Sequence, residues 1–286
     1  MADPQTLLVF GDLHGRVLPA FRLAARWARA FGRPVAGVLQ VGDLGYFPDV
    51  TRMDRATLRH AADDPLEYGA ADVAVPNPSA DAAFADPHAP PVLWFTAGNH
   101  EDFELLEGLA GGGRGPDFAA DAYGRVRGIK DGRVAEPVPG LRVGAVWGVD
   151  GAGRNARGNL PPRGYIRDRA ADELLAAGPF DVLLAHDSPA DARRAGYGSE
   201  TLAHLIALAR PAFAFFGHYK GAGGRVEGAF GRTAVYHMAG FELRHGRDGA
   251  AEPGSVGVLT WDGGGAFEYV PADWLRRFTR HNWKHD

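Results

Sequence analysis

Five short apolar runs punctuate the chain, and each stops abruptly in glycine, aspartate, asparagine or histidine. They are Leu7 to Phe10 before Gly11-Asp12-Leu13-His14-Gly15, Val38 to Val41 before Gly42-Asp43-Leu44-Gly45, and Val92 to Phe95 before Gly98-Asn99-His100-Glu101. The last two are Val182 to Ala185 before His186-Asp187, and Phe213 to Phe216 before Gly217-His218. Continuous apolar runs of this length suit strands buried on both faces, as in parallel sheets. Helical spacing lies between them. Leu18, Phe21, Ala25, Ala28 and Phe31 follow one helix face, with Pro19 where a helix can begin. Glu101 to Leu109, Arg167 to Ala177 and Glu200 to Ala209 read as further helices. Strand and helix in alternation imply βαβ units. Ligand sites in such sheets lie beyond the carboxyl ends of the strands, which is where this chain puts its reactive side chains.

Three regions depart from that rhythm. Asp49 to Pro91 is rich in Ala, Asp and Pro and reads as an insertion carrying a helix near Arg55 to Ala62 and a long loop. Arg125 to Trp147 reads as strands with a hairpin at Lys130-Asp131-Gly132, and Arg225 to Tyr269 as strands punctuated by glycine. A second, more antiparallel sheet is therefore expected. Trp274 to His281 reads as a terminal helix. The 286 residues are expected to form one domain, with the insertion at 49–91 and a C-terminal helical tail at 271–286.

Composition narrows the chemistry. The chain has no cysteine, which excludes disulfides, thiolate zinc sites, iron–sulfur clusters and cysteine nucleophiles. The 45% apolar content supports a folded core, and 40 glycines without a collagen period read as many turns. A net charge of −4 argues weakly against nonspecific binding to nucleic acid or anionic membrane. No apolar stretch reaches the roughly 18 residues of a membrane span, and Leu7 to Phe10 is too short for a signal-peptide core, so a cytoplasmic protein is expected. There is no Gly-x-x-x-x-Gly-Lys-Ser/Thr loop, and Ser188 and Ser199 have no evident base partner.

On a parallel sheet Asp12, His14, Asp43, Asn99, His100, His186 and His218 converge. Carboxylate, imidazole and amide oxygen are ligands for Mn²⁺, Fe or Zn²⁺. Asp12 and His14, two apart at a strand end, are expected to point the same way. Asp43 has two oxygens and is able to bridge two ions. Two metals about 3.5–4 Å apart clamp the attacking and leaving oxygens of an in-line phosphoryl displacement.

Those segments, in that order from residue 11 to 218, resemble the calcineurin-like metallophosphoesterases. The pair Gly11-Asp12-Leu13-His14-Gly15 and Gly98-Asn99-His100-Glu101 carries most of the likeness. The resemblance implies an α/β fold, a four-layer α/β/β/α sandwich of two mixed sheets flanked by helices. It implies two divalent ions, Mn or Fe with Zn as a further candidate, and hydrolysis of a phosphomonoester or phosphodiester by a metal-bound hydroxide. Asp12 and His14 would bind the first metal, Asp43 would bridge, and Asn99, His186 and His218 would complete the second. His100 would assist the leaving group.

The sequence departs from that family in two places. The last motif usually reads Gly-His-x-His, and its second histidine joins the first metal; here it is Gly217-His218-Tyr219-Lys220. A protonated lysine cannot ligate a metal. Three readings follow: a first metal held weakly, His237 as the substitute, or Lys220 as a point charge on the substrate phosphate. The favoured one keeps a weakened but usable two-metal site. The second departure is from the phosphoprotein phosphatase branch, whose Gly-Asp-x-Val-Asp-Arg-Gly supplies an aspartate for the catalytic histidine and an arginine for phosphate. This chain reads Gly42-Asp43-Leu44-Gly45-Tyr46-Phe47-Pro48, so a Ser/Thr phosphatase is discounted. His186-Asp187-Ser188-Pro189 is similar, over a short stretch, to diesterase and lariat-debranching relatives.

Two other readings stay open. One is a metal-binding scaffold with a crippled first site. The other is a nucleic-acid-processing diesterase, to which the basic tail Trp274 to Trp283 lends little, since a packed helix with a solvated face explains it. Arg154 and Arg157, in the Gly-rich stretch 148–158, are candidates to lie over the phosphate, though a plain flexible loop explains them as well. Specificity is expected from Asp49 to Pro91 and Asp150 to Arg163, and no oligomeric state is implied.

Overall fold

A computed structural model describes residues 4–151, 160, 162–243 and 249–285. In chain order the elements are β1 (Gln5–Phe10), α1 (Val17–Phe31), β2 (Gly37–Gln40), α2 (Arg55–Asp63), α3 (Ala71–Ala74), α4 (Pro78–Phe84), β3 (Leu93–Phe95) and α5 (Phe103–Gly111). Then come β4 (Asp117–Ala119), β5 (Val126–Ile129), β6 (Arg133–Val138), β7 (Leu141–Val146), α6 (Asp168–Ala176), β8 (Val182–Ala185), α7 (Glu200–Ala209) and β9 (Phe213–Phe216). The chain closes with β10 (Gly224–Val226), β11 (Ala234–His237), β12 (Val256–Trp261), β13 (Ala266–Tyr269) and α8 (Ala272–Leu275).

Side chains alternate along a strand, so each apolar run serves two cores. Leu7 and Val9 of β1 face the same core as Val182 and Leu184 of β8 and Phe213 and Phe215 of β9. Leu8 and Phe10 point the other way, against Phe21, Leu23 and Ala24 of α1. Leu183, Ala214 and Phe216 pack on Leu174 of α6 and Leu202, Leu205 and Ile206 of α7. Three parallel cores make four layers: helix, sheet, sheet, helix. This is the two-sheet α/β sandwich anticipated above, and no described helix is long and apolar enough to cross a membrane.

The sheets differ from expectation in how they divide the strands. The first has the order β13-β12-β1-β2-β3-β5-β4 and the second β10-β11-β9-β8-β7-β6. In the first, β1, β2, β3 and β5 run parallel, with β12, β13 and β4 added antiparallel at the flanks. In the second, β7, β8, β9 and β11 run parallel, with β6 and β10 antiparallel at the edges. Among the described residues there is thus no separate antiparallel sheet. The expected hairpin at Lys130-Asp131-Gly132 is absent too. Both edges of β5 are already taken, by β3 and β4, so β6 crosses to the other sheet and pairs with β7. Asp131 holds that crossing by accepting from Trp147 N at 2.9 Å and pairing with Arg167 at 2.7 Å.

Between β2 and β3 the structure has helix where a long loop was expected. Beside α2, residues Pro65–Tyr68 form a 3-10 turn, and α3 and α4 follow. Two of the prolines that made the stretch look like loop, Pro65 and Pro78, follow Asp64 and Asn77. Each pair is a helix start: the Asp or Asn side chain caps the first turn and the proline takes a first-turn position. At the other end the terminal helix is a single turn, α8. Beyond it a bridge between Ala250 and Thr279 and a bond from Ala251 N to Phe278 O tie the tail down while Phe278 enters the core.

Phe215 is 1% exposed in the core between the sheets. Phe215→Ala is expected to lower unfolding stability by about 3–5 kcal/mol, read by urea titration. Leu208→Ala, at a position 55% exposed, should change it by no more than about 0.5 kcal/mol. Equal effects would contradict the layer assignment.

Candidate metal centre

All seven expected side chains lie at the carboxyl ends of β1, β2, β3, β8 and β9, three strands from one sheet and two from the other. Asp43 is the hub. It is 2% exposed and binds two neighbouring loops at once. Its carbonyl accepts from Leu13 N and His14 N, both at 2.9 Å. Its Oδ1 accepts from Asn99 N at 2.7 Å and His100 N at 2.8 Å. That leaves Oδ2 turned inward, 3.2 Å from His186 Nε2 and 4.0 Å from His14 Nε2.

Asp12 completes the floor. Its Oδ1 accepts from His218 N at 3.2 Å and lies 3.9 Å from His186 Nδ1. Ligand atoms of Asp12, His14 and Asp43 all fall within 4.8 Å of one another, a grouping able to hold a metal ion. Asp12 and His14 converge for a different reason than strand alternation. Both lie past the end of β1, and His14 turns inward through a left-handed backbone, φ +42°. Asp43 and His218 are also left-handed, at φ +51° and +65°. Each such residue costs of order 1 kcal/mol or more, so three together mark a place where side-chain direction outweighs backbone comfort. Two glycines make the room. A Cβ on Gly98 would fall on the Asp43 carboxylate, and one on Gly217 on that of Asp12.

The electrostatics call for positive charge. Burial pushes Asp12 up to about 7 despite His186 nearby. Burial alone would lower His186, yet the Asp43 and Asp12 carboxylates outweigh it and raise it to about 9. Burial lowers His14 to about 4, and burial with the neighbouring His186 does the same for His218. Both are therefore neutral imidazoles near pH 7, the form that ligates metals. One buried polar atom here, Asn99 Oδ1, has no hydrogen-bond partner, while His186 Nε2 has only the Asp43 carboxylate, at 3.2 Å. Buried polar atoms are normally satisfied. His186 Nδ1 faces Val41 O at 3.3 Å, which leaves Nε2 aimed at Asp43. A buried amide oxygen without a donor and an imidazole nitrogen whose one neighbour is a carboxylate fit a divalent cation.

His100 stands on the wall of the same cleft, which encloses about 600 Å³ and is also lined by Thr57, His60, Lys220 and Glu242. Its Nδ1 is 2.9 Å from Asp54 Oδ2. Burial lowers this imidazole, but Asp43 and Asp54 outweigh it and raise it to about 9. Lys220 reaches the cleft because its loop is held from two sides. Tyr219 OH donates to Asp187 Oδ1 at 2.6 Å, and His237 Nε2 lies 2.8 Å from Tyr219 O. His237 therefore does not replace the missing histidine. Both its ring nitrogens face backbone carbonyls, the second being Ala222 O at 3.3 Å. Arg154 and Arg157 lie outside the described residues.

Several working parts escaped the sequence reading. Glu101 enters there as part of a motif and as the first residue of a helix, with no bonding role. Its Oε1 accepts from Leu44 N at 2.9 Å and Gly98 N at 3.3 Å, and its Oε2 from Tyr46 N at 2.7 Å, so it sews the β2 and β3 loops together. Gln40 does the same for the β1 and β2 loops, through Gly11 O at 3.2 Å and Gly42 N at 3.0 Å. Arg16, 2% exposed, grips His14 O at 2.7 Å and pairs with Asp64 at 2.7 Å and Glu67 at 3.0 Å. Asp54 lies 46 residues from its histidine, and only the Asp-x-x-Thr cap pattern around it was visible.

Two solved structures share this fold. One is described as the crystal structure of TT1561 of Thermus thermophilus; it is 12% identical, with a TM-score of 0.54, over 94% of this chain and 99% of that one. The other is GAP50, described as the anchor in the inner membrane complex of Plasmodium, 12% identical with a TM-score of 0.50, over 96% of this chain and 86% of that one. At that identity the likeness is one of fold alone. No protein-family model and no curated protein matches the chain.

Gly98→Ala is expected to weaken Mn²⁺ or Zn²⁺ binding roughly 10–100-fold, measured by isothermal titration. Unchanged affinity would show that the Asp43 carboxylate has room to retreat. A second expectation concerns pH. Burial lowers His237 from 6.5 to about 4. The unfolded chain therefore takes up this proton first, so the stability it contributes is complete above about pH 6.5 and is lost as pH falls toward 4. Between pH 7 and 5 the wild type should lose more stability than His237→Asn; equal losses would contradict a buried neutral imidazole.

Proposed function

We propose that this chain is a metal-dependent phosphoesterase acting on a phosphomonoester or phosphodiester. The observation that carries the reading is the buried cluster of Asp12, His14 and Asp43, whose ligand atoms lie within 4.8 Å of one another, with His186 Nε2 3.2 Å from Asp43 Oδ2. In this reading Asp12 and His14 hold one divalent ion and Asn99, His186 and His218 a second, with Asp43 shared by both. The mixed carboxylate, imidazole and amide set suits Mn²⁺ or Fe, and Zn²⁺ as well. When bound, such ions supply electrophilic charge for a phosphoryl group and acidify a water for in-line attack.

The chain's own residues do the remaining work. His100 stands at the cleft wall with Nδ1 held by Asp54 at 2.9 Å, and it delivers a proton to the departing alkoxide. Lys220 lines the same cleft and offers a point charge to a phosphate oxygen. A cleft of about 600 Å³ suits a small ester. Its described lining also carries Asp63, Asp64, Glu67, Glu242 and Glu252, a poor surface for a long polyanion, so nucleic acid is not favoured as substrate.

The test is hydrolysis of an aryl phosphomonoester and an aryl phosphodiester with added Mn²⁺, comparing the wild type with Asp43→Asn and Lys220→Met. Asp43→Asn should abolish turnover and lower bound metal. Lys220→Met should raise KM about 10-fold with metal content unchanged. Metal-loaded wild type that hydrolyses neither ester faster than Asp43→Asn would favour the scaffold reading. Lys220→His that binds more metal and turns over faster would show a degenerate first site.

A further inference from the structure

His100 enters the cleft with one ring nitrogen already committed. The carboxylate that takes it, Asp54, belongs to none of the five motif segments. It is the N-cap of α2, in the stretch between β2 and β3. Asp54 is itself held. Its Oδ1 accepts from Ala56 N at 2.8 Å and Thr57 N at 3.0 Å, and its Oδ2 from Thr57 Oγ1 at 2.8 Å. The far end of the same stretch is braced on the centre too, through Asp64 and Glu67 on Arg16. Asp54 is thus a fixed acceptor presented to His100 Nδ1 at 2.9 Å. An imidazole that donates from Nδ1 to a carboxylate has its tautomer and ring plane set, and its Nε2 faces away from that carboxylate.

We propose that Asp54 is the positioning residue for His100, holding Nδ1–H so that Nε2 faces the leaving group. The proposal rests on the phosphoesterase reading above. In the step it serves, the oxygen of the attacking water forms the new bond to phosphorus. The ester oxygen leaves with the electron pair of its P–O bond and takes the Nε2 proton. The proton released by the water goes to solvent, from which the imidazole is reprotonated. Asp54 touches no reacting atom. Its effect is on where the ring points and which nitrogen carries the mobile proton.

Asp54→Asn is the discriminating variant, because asparagine caps a helix as well as aspartate but sets an amide group against Nδ1. The Mn²⁺-loaded enzyme is assayed on an alkyl phosphate ester, whose alkoxide needs a proton, and on a nitrophenyl ester, whose phenolate does not. The loss in kcat should be at least about tenfold greater for the alkyl ester, with metal content unchanged. In a His100→Gln background the same change should add no further loss. Equal losses on both esters, or full additivity with His100→Gln, would overturn the proposal. A second measurement does not depend on turnover. Proton–nitrogen NMR of the zinc-loaded protein should show a slowly exchanging His100 Nδ1–H in the wild type and none in Asp54→Asn. A wild type without that proton refutes the positioning role. A wild type that shows it yet hydrolyses neither ester refutes the phosphoesterase reading instead.

Discussion

Everything at this centre depends on one buried carboxylate whose two oxygens do different jobs. Asp43 Oδ1 is saturated by the backbone N–H groups of Asn99 and His100. Its Oδ2 is left for the interior, between His186 and His14. With its carbonyl taking Leu13 N and His14 N, Asp43 joins the loops after β1, β2 and β3 through four N–H groups. The supporting parts follow from that. Gly98 clears the space the carboxylate fills, and Glu101 ties the β3 loop back to the β2 loop. The left-handed backbone at Asp43 is the strain accepted for it. A carboxylate with only one free oxygen cannot swing to meet a charge; the charge must come to it.

Much of this is legible in the unfolded chain. The five apolar runs end in residue types that strands avoid and metal ions favour, and a chain seldom places Asp, Asn and His at five such ends without a common target. Strand identity and the meeting of Asp12, His14 and Asp43 follow from that pattern. What escaped was set by contacts remote in sequence. The edges of β5 were spoken for by β3 and β4, which no local pattern around Lys130 could reveal. Asp64-Pro65 and Asn77-Pro78 carry the same letters whether they break a chain or begin a helix. Asp54 meets His100 only after α2 has folded onto the cleft.

The Lys220 loop shows how a departure from the expected motif is accommodated. Lysine could have been left to wave in solvent at the cleft mouth. Instead the neighbouring Tyr219 is fastened at its hydroxyl by Asp187 and at its carbonyl by His237. Asp187 is itself fully buried and also accepts from Asp150 N at 2.7 Å, so this anchor reaches the loop after β7. Lys220 follows directly on this braced residue and lines the cleft.

The donors come from both sheets: Asp12, His14, Asp43 and Asn99 from one, His186 and His218 from the other. An ion held as proposed, by both sets, would be a rivet through the seam of the sandwich. The spacing of its ligands is then gauged by the apolar filling of that seam, by Leu7, Val9, Leu184 and Phe215, none of which needs to approach the ion. Thinning or swelling that filling would change the gap such a rivet must close, so the grip on a metal held there would be tuned by residues in the dry interior as well as by those that touch the ion.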